Sequence, residues 1–419
     1  MFFYNFNLNL FTIFMYYKYV NISIIGAGYV GLITGVGFAK LNNKVSIIDL
    51  NKSLINQLNN SETPFYEPEL KTFLNDKLVD NNLNYFNEYE LGIDEQTELV
   101  FVCVQTPTNL ETGKTDTKYI KSVLEKLKEL ENYNFNICIK STVKSILVEE
   151  ICNEINIDFN KVIFNPEFLR EGSAFFDFFN PDRVVVGGND SEVIQKCLDL
   201  YRDFDCELIS TDPTSSQMIK YLSNTYLALR LSFVNETYRL VEDNGGNPQE
   251  VINAIGKDSR IGNNYFRPSP GWGGSCFPKD VKEVENSYQN NNNLPLISRI
   301  IKSNELQMDW FCENIIKIAN LQNKKNIVLI GAAFKENTDD LRDSPTLKIY
   351  DRIQNNGIDI VIFDKNIILT ENYYSISSYE DLKDDCLYVE MFPDTSEERK
   401  QLVSKINTFK NTYLFRMWE

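Results

Sequence analysis

Residues 20–31 read VNISIIGAGYVG, a β-branched run that stops on three glycines within six residues. Branching at Cβ stiffens a chain toward the extended conformation, and helical apolar spacing begins straight after the glycines in LITGVGFAKLNN. A second apolar run, KVSIIDL, then contains Asp49 at its end. Strand, glycine turn, helix and strand in that order open a parallel α/β sheet, because parallel neighbours need a crossover between them. Gly26 makes the tight turn, Gly28 lets a pyrophosphate approach the backbone, and Gly31 lets helix pack on strand. Ala27, Tyr29 and Val30 complete the fingerprint. A carboxylate at Asp49 would take a ribose 2′-hydroxyl and repel a 2′-phosphate, so the expected cofactor is NAD rather than NADP.

Further strand-like runs occur at LVFVCV (99–104), FNICIK (135–140) and KVIFNP (161–166), with a helical pattern, YIKSVLEKLKEL (119–130), between the first two. This alternation predicts a NAD-binding Rossmann-like domain over 21–212. Residues 215–243 contain no Gly or Pro and repeat apolar residues three and four apart, which predicts one long helix. With the helical stretch ISRIIKSNELQMDWFCENIIKIA it predicts a central helical domain over 213–321, suited to dimerisation. NIVLIG (326–331) and DIVIFD (359–364) restart the strand pattern and predict a second Rossmann-like domain over 322–419. The expected fold is therefore α/β, two doubly wound domains joined by a long central helix and a helical region. Residues 1–20 read as an N-terminal extension: they lack a cationic start and a cleavage site, and Asn5, Asn7 and Asn9 interrupt any membrane-length apolar run. The asparagines at 289–293 read as a solvent loop.

Charge and composition narrow the chemistry. A formal net charge of −17 disfavours nucleic acid and anionic membrane as partners. Eight scattered cysteines without a CxxC pair indicate a reduced, cytoplasmic protein, and with no histidine in the chain no metal site is expected. The missing histidine also excludes every Ser–His or Cys–His mechanism, leaving Lys, Asp, Glu, Cys, Tyr or water to move protons.

The stretch GWGGSCFPKD (271–280) places Cys276 in surroundings that make a poor core strand and a good backbone-lined pocket. Lys279 is near enough in sequence to support a thiolate, and Asp280 would share a helix face with Cys276. Lys220 and Asn224 lie four apart on the long helix, and so do Glu167 and Glu171 just past a strand end, where ligands bind in such sheets.

In order along the chain, GAGYVG, VQTPT (104–108), KSTV (140–143), NPEFLREG (165–172), MIKYLSNTYLA (218–228), IGKDSRIG (255–262), GGSCFPKD (273–280) and AAFKENTDDLRDSP (332–345) resemble the motifs of the UDP-glucose/GDP-mannose dehydrogenase family. SCFPKD is closest to its UDP-glucose branch; a UDP-N-acetylhexosamine or GDP-mannose substrate is the alternative. The resemblance implies that a sugar C6 alcohol is oxidised to a carboxylate with two NAD, the expected substrate being UDP-glucose. It makes Cys276 the nucleophile that forms a thiohemiacetal and then a thioester, and Lys220 the stabiliser of the C6 oxyanion with Asn224 beside it. Asp280 would orient water or help proton transfer, Glu167 would act in hydrolysis, and Thr142 would hold the water network.

The resemblance also assigns NAD to the fingerprint residues with Asp49, Thr106, Thr142, Glu171, Lys279 and Arg342. It assigns UDP-glucose to Glu167, Phe168, Leu169, Lys220 and Asn224, to the segment Tyr265, Phe266, Arg267, Pro268 and Ser269, and to Gly273, Phe334 and Lys335. Arg260 would reach this site from the partner in a homodimer. Trp272 stands where the family commonly has Phe or Tyr, which would reshape the sugar end, and Leu54 where relatives often carry a basic residue. Gly331, Ala332 and Ala333 lack the full glycine fingerprint, so the second domain is expected to bind UDP rather than a second NAD.

Overall fold

A computed structural model describes residues 19–108, 114–287, 294–355, 358–394 and 396–418. The asparagine run at 289–293 and the N-terminal extension up to residue 18 lie outside them. The first sheet has eight strands in the order β3-β2-β1-β4-β5-β6-β7-β8. They are β1 (Asn21–Ile25), β2 (Lys44–Ile48), β3 (Leu83–Phe86), β4 (Leu99–Val102), β5 (Asn136–Ile139), β6 (Val162–Phe164), β7 (Arg183–Gly187) and β8 (Glu207–Thr211). β4 and β5 are buried along their whole length, which is why they read as continuous apolar runs rather than alternating ones. β3 and β8 are only partly buried edge strands, and their mixed sequences carry no comparable signal.

β1 pairs with β2 on one side and β4 on the other, both parallel. The order therefore reverses at β1, and the crevice beyond its carboxyl end is where such a sheet takes a ligand. β7 runs antiparallel to its neighbour β6, and β8 runs parallel to β7, so the first residue of β7, Arg183, lies at that same ligand-facing end. Beneath the sheet the buried Phe38 ring meets Phe101, Phe178 and Tyr201 with centroids 5.4, 5.5 and 5.4 Å away. Emptying such a position costs about 3–5 kcal/mol.

The long helix spans Pro213–Asp243. Proline at its first position needs no N–H partner, and the Asp212 carboxylate accepts from Ser215 N at 2.9 Å, capping the start. Its inner face buries Lys220, Tyr221, Asn224, Thr225 and Ala228 against the helices Pro248–Gly256, Phe277–Ser287 and Ile300–Leu321. Beyond it lies a second, wholly parallel sheet in the order β11-β10-β9-β12-β13, made of β9 (Asn326–Ile330), β10 (Asp359–Phe363), β11 (Ser375–Ile376), β12 (Cys386–Glu390) and β13 (Tyr413–Phe415).

Candidate active site

The fingerprint turn is built as its glycines require. Gly26 has φ +102°, and a Cβ on Gly31 would fall 1.9 Å from the Gly26 carbonyl oxygen. A Cβ on Gly28, by contrast, would meet nothing within 4 Å. Gly28 caps the helix Tyr29–Lys40, so open space faces a helix N-terminus, the setting that suits a phosphate. At the end of β2 the Asp49 carboxylate accepts from Ala27 N and Asn51 N, both at 2.9 Å. These features fit a dinucleotide cofactor.

The second sheet repeats part of this arrangement: Gly331 has φ +96°, and Asp364, just past β10, accepts from Ala332 N at 2.9 Å. Neither leading glycine has room for a side chain, a Cβ on Gly331 falling 2.5 Å from the Phe392 ring and one on Gly26 2.8 Å from the Cys103 carbonyl oxygen; the difference is that Ala333 supplies a methyl where the first turn has Gly28. The second turn carries a side chain where the first has bare backbone.

Between the two sheets and the helical region lies a cavity of about 2210 Å³. A pocket for one drug-sized ligand spans roughly 300–1,000 Å³, so this one has room for two ligands side by side. It is lined by Gly28, Asp49, Thr106 and Thr142 on the side of the first sheet, and by Tyr265, Arg267, Ser269, Phe334 and Lys335 on the other. Glu167, Phe168, Leu169, Lys220, Asn224 and Cys276 lie on its wall as well. Thr106 Oγ1 donates to the Thr142 carbonyl at 2.9 Å, joining two of the loops.

Cys276 immediately precedes the helix Phe277–Ser287, with Asp280 N donating to its carbonyl at 2.9 Å. The 276/280 spacing therefore falls on a helix, and the thiol lies at a positive helix end. Lys220 is 3% exposed and donates to the Glu167 carbonyl at 2.6 Å and to its Oε1 at 2.7 Å. Glu167 Oε2 accepts from Leu169 N at 2.7 Å, so both its oxygens are engaged. One turn along the long helix, Asn224 donates to Asp280 Oδ2 at 2.6 Å. Lys220 and Asn224 thus present one face and grip two different carboxylates.

Electrostatics set the protonation states. Burial alone would push the Lys220 ammonium down, but Glu167, Cys276 and Asp280 outweigh it and hold Lys220 above its ordinary value. Burial pushes the Cys276 thiol up, Lys220 pulls it back, and Glu167 and Asp280 add to the rise. The cation acting on the thiol is Lys220, whereas Lys279, which sequence proximity singled out, donates to Asp280 Oδ1 at 2.6 Å. Glu171 is pushed up to about 7 by burial and by Asp340. It accepts from Ser275 Oγ at 3.0 Å and from Thr338 Oγ1 at 3.2 Å, and Arg342 lies 3.6 Å away. It ties the cysteine loop to the second α/β unit and lines the cavity.

Five expected site residues lie off the cavity wall. Ala27 and Gly31 are inside the turn, and Asp280 is buried behind Asn224 and Lys279. Phe266 turns into the helical core beside Val234 and Ile252. The Arg260 side chain is 86% exposed and bound to Asp258 at 2.6 Å. Trp272 is on the cavity wall, its indole N–H donating to Ser232 at 3.0 Å and its ring packing with Ala228, Val281 and Ile300.

Two residues escape the sequence reading. Arg183 stacks over the Phe168 ring at 3.8 Å and donates to Ser223 Oγ at 3.2 Å; its place follows from the antiparallel β7, which no pattern announces. Glu67 accepts from Tyr29 OH and Gly172 N at 2.6 Å and from Ala174 N at 2.7 Å, clasping the fingerprint helix to the loop after Glu171. The glutamate sits in a short irregular loop, where no periodicity marks it.

Comparison with known proteins follows the same lines. Models of the UDP-glucose/GDP-mannose dehydrogenase family match at 20–205 for its NAD binding domain, 214–306 for its central domain and 328–392 for its UDP binding domain. The chain is 36% identical to the UDP-glucose 6-dehydrogenase of Rickettsia felis over 353 residues, covering 82% of this chain and 78% of that protein. It is 33% identical to the UDP-glucose 6-dehydrogenase YwqF of Bacillus subtilis over 343 residues, 80% and 77% of the two chains. Among solved structures, a UDP-glucose dehydrogenase from Pyrobaculum islandicum superposes with a TM-score of 0.79 at 28% identity, covering 90% of each chain.

Proposed function

This chain belongs to the UDP-glucose/GDP-mannose dehydrogenase family, and from that premise we propose that it is a UDP-glucose 6-dehydrogenase, oxidising C6 of UDP-glucose twice to UDP-glucuronate. The observation that carries the reading is Cys276 at a helix start, electrostatically coupled to the buried Lys220–Glu167 pair, in one cavity with an open glycine fingerprint. The similarity to proteins named UDP-glucose 6-dehydrogenase favours this sugar over the other nucleotide sugars.

NAD, held by Gly26 to Gly31, Asp49, Thr106 and Thr142, supplies the hydride acceptor for both oxidations. The chain supplies the rest. Lys220 and Asn224 donate to the C6 oxygen as negative charge gathers there. Oxidising the alcohol needs no nucleophile. The aldehyde does, because its carbon cannot give up a hydride and become an acid until something adds to it. Cys276 Sγ bonds to C6 as the C=O π bond opens and the thiol proton passes to the C6 oxygen, forming a thiohemiacetal; loss of a hydride from C6 and of that hydroxyl proton yields a thioester. Water then attacks C6, the C–S bond breaks, the sulfur recovers a proton, and the carboxylate leaves. Glu167 assists that attack, and Asp280 fixes the Asn224 amide and the Lys279 ammonium through the bonds described above. With excess NAD, two NADH are expected per UDP-glucose consumed; a ratio of one would remove the thioester step, and none would remove the substrate.

Asp49 selects the cofactor. Its replacement by Ala loses the ribose partner and the repulsion of a 2′-phosphate, an effect on the order of 1–3 kcal/mol. The preference for NAD over NADP is expected to fall at least about tenfold in Asp49→Ala, measured as the ratio of kcat/KM values.

A homodimer in the cytoplasm completes the reading. Leu222, Tyr226, Phe233 and Leu240 are exposed on the long helix, and their spacings of four, seven and seven residues align them in one apolar stripe suited to a second copy. Arg260, whose side chain is 86% exposed on its own chain, would serve the partner's UDP-glucose site in such a dimer. The eight unpaired cysteines support a reducing compartment, and among the described residues no helix is long and apolar enough to cross a membrane.

A further inference from the structure

Glu283 is a carboxylate that the reaction above does not use, yet it is 3% exposed and fully engaged. It lies on the helix Phe277–Ser287, at spacings of four and three along Cys276, Asp280 and Glu283, so the three share one stripe of that helix. Glu283 Oε2 accepts from Thr115 N at 2.8 Å and from Thr115 Oγ1 at 2.9 Å, while its Oε1 pairs with Lys144 Nζ.

Both partners belong to the cofactor side. Thr115 bridges to Thr108, and the next residue, Asp116, donates from its N to Pro107 O at 2.8 Å, so Thr115 moves with the segment that carries Thr106. Lys144 follows Thr142 by two residues and caps the helix Ser145–Ile155. Thr106 and Thr142 are themselves joined. One buried carboxylate therefore fastens the cysteine helix to both loops that line the cofactor side of the cavity.

We propose that Glu283 is a positioning residue, setting the register of the Cys276 helix against the cofactor loops so that the sulfur and the cofactor side of the cavity hold a fixed relation during turnover. This rests on the catalytic reading of Cys276. A buried carboxylate is an effective clamp because its two oxygens hold partners on separate segments, and charged hydrogen bonds tolerate little displacement. An amide in its place keeps the shape and one acceptor oxygen but loses the charge that holds Lys144. Loosening the clamp frees the start of the helix without removing any group that touches substrate.

The test compares the full-length wild type with Glu283→Gln and Thr115→Val, the latter removing the bond from Thr115 Oγ1 and leaving the carboxylate in place. Glu283→Gln is expected to lower kcat at least tenfold with both KM values within threefold, and to lower the unfolding midpoint while remaining fully folded at the assay temperature. Thr115→Val is expected to lower kcat less, and adding it to Glu283→Gln to cause little further loss, because both act through one contact. At saturating NAD, alkylation of Cys276 by iodoacetamide is expected to speed up at least fivefold in Glu283→Gln, with NAD affinity within threefold of wild type. The alkylation arm does not depend on which sugar is oxidised, so a wild type inactive on UDP-glucose would sink the substrate and leave this test intact. Equal alkylation rates in all three proteins, additive losses of kcat, or a kcat loss matched by lost NAD binding would each overturn the proposal. Should Glu283→Gln fail to fold, Thr115→Val alone decides: an alkylation rate equal to wild type overturns it, and a faster one upholds it.

Discussion

Cys276→Ser is expected to abolish net production of UDP-glucuronate, lowering the two-NADH turnover by about a thousandfold or more while leaving NAD binding within a few-fold of wild type. The expectation follows from where the sulfur acts. Alcohol oxidation does not involve it, so the variant should still release up to one NADH per UDP-glucose and accumulate aldehyde-level product, detectable with a carbonyl-trapping reagent. Aldehyde oxidation needs an adduct at C6, and a serine hydroxyl is a far weaker nucleophile than a thiol without a base beside it. The chain has no histidine to serve as that base, and Glu167 and Asp280 are already engaged by Lys220 and by Asn224 and Lys279. Acid production at the wild-type rate would end the covalent mechanism.

Burial raises the wild-type thiol above its ordinary value even with Lys220 beside it. Its alkylation should therefore climb with pH past the range where an exposed cysteine levels off. With the thiol raised in this way, Cys276 is expected to react with oxidants and adventitious electrophiles more slowly at neutral pH than an exposed cysteine does. A substrate aldehyde held between Lys220 and Asn224 meets a thiol that can lose its proton as the S–C bond forms.

What the sequence made legible was whatever leaves a local imprint. Buried parallel strands such as β4 and β5 are apolar without interruption, and a glycine turn followed by an apolar helix and a terminal Asp49 is nearly a description of its own geometry. The 276/280 and 220/224 spacings anticipated shared helix faces for the same reason. Partner choice across the fold left no such imprint. Lys279 is three residues from Cys276, yet it is held by Asp280, and the cation acting on the sulfur is Lys220, far away in sequence. Arg183 reaches the site because β7 runs antiparallel to β6, and Glu67 reaches the fingerprint through an irregular loop. Both depend on long-range topology, which residue spacing does not encode. The second domain keeps part of the pattern: Asp364 makes the bond that Asp49 makes, while Ala333 stands where the first turn has Gly28, so one retained bond does not by itself mark a second glycine fingerprint.

Lys220→Met is expected to reduce both oxidation steps, with kcat falling on the order of 10²–10³-fold, the usual cost of one lost donor to a developing oxyanion, or about 3–4 kcal/mol. This separates it from Cys276→Ser, because Lys220→Met should lose the first NADH as well as the second. The variant also leaves the Glu167 carboxylate buried without its ion pair, though Leu169 N still reaches Oε2, and a stability loss is expected alongside the kinetic one. Glu167→Gln added to Lys220→Met removes the stranded charge, so it should restore much of the unfolding midpoint without restoring kcat; recovery of both would mean that Lys220 acts only by holding Glu167. The direction of the Lys220 shift decides its role. Its folded value lies above its ordinary one, so the stability of the ion pair is fully present below the ordinary lysine value and is lost only as pH rises through the higher folded value. Across neutral and mildly alkaline pH Lys220 is therefore an ammonium, able to donate to the C6 oxygen but unable to accept a proton as a base. A fall in kcat below about pH 8 that disappears in Lys220→Met would show that it titrates there and would reverse the assignment.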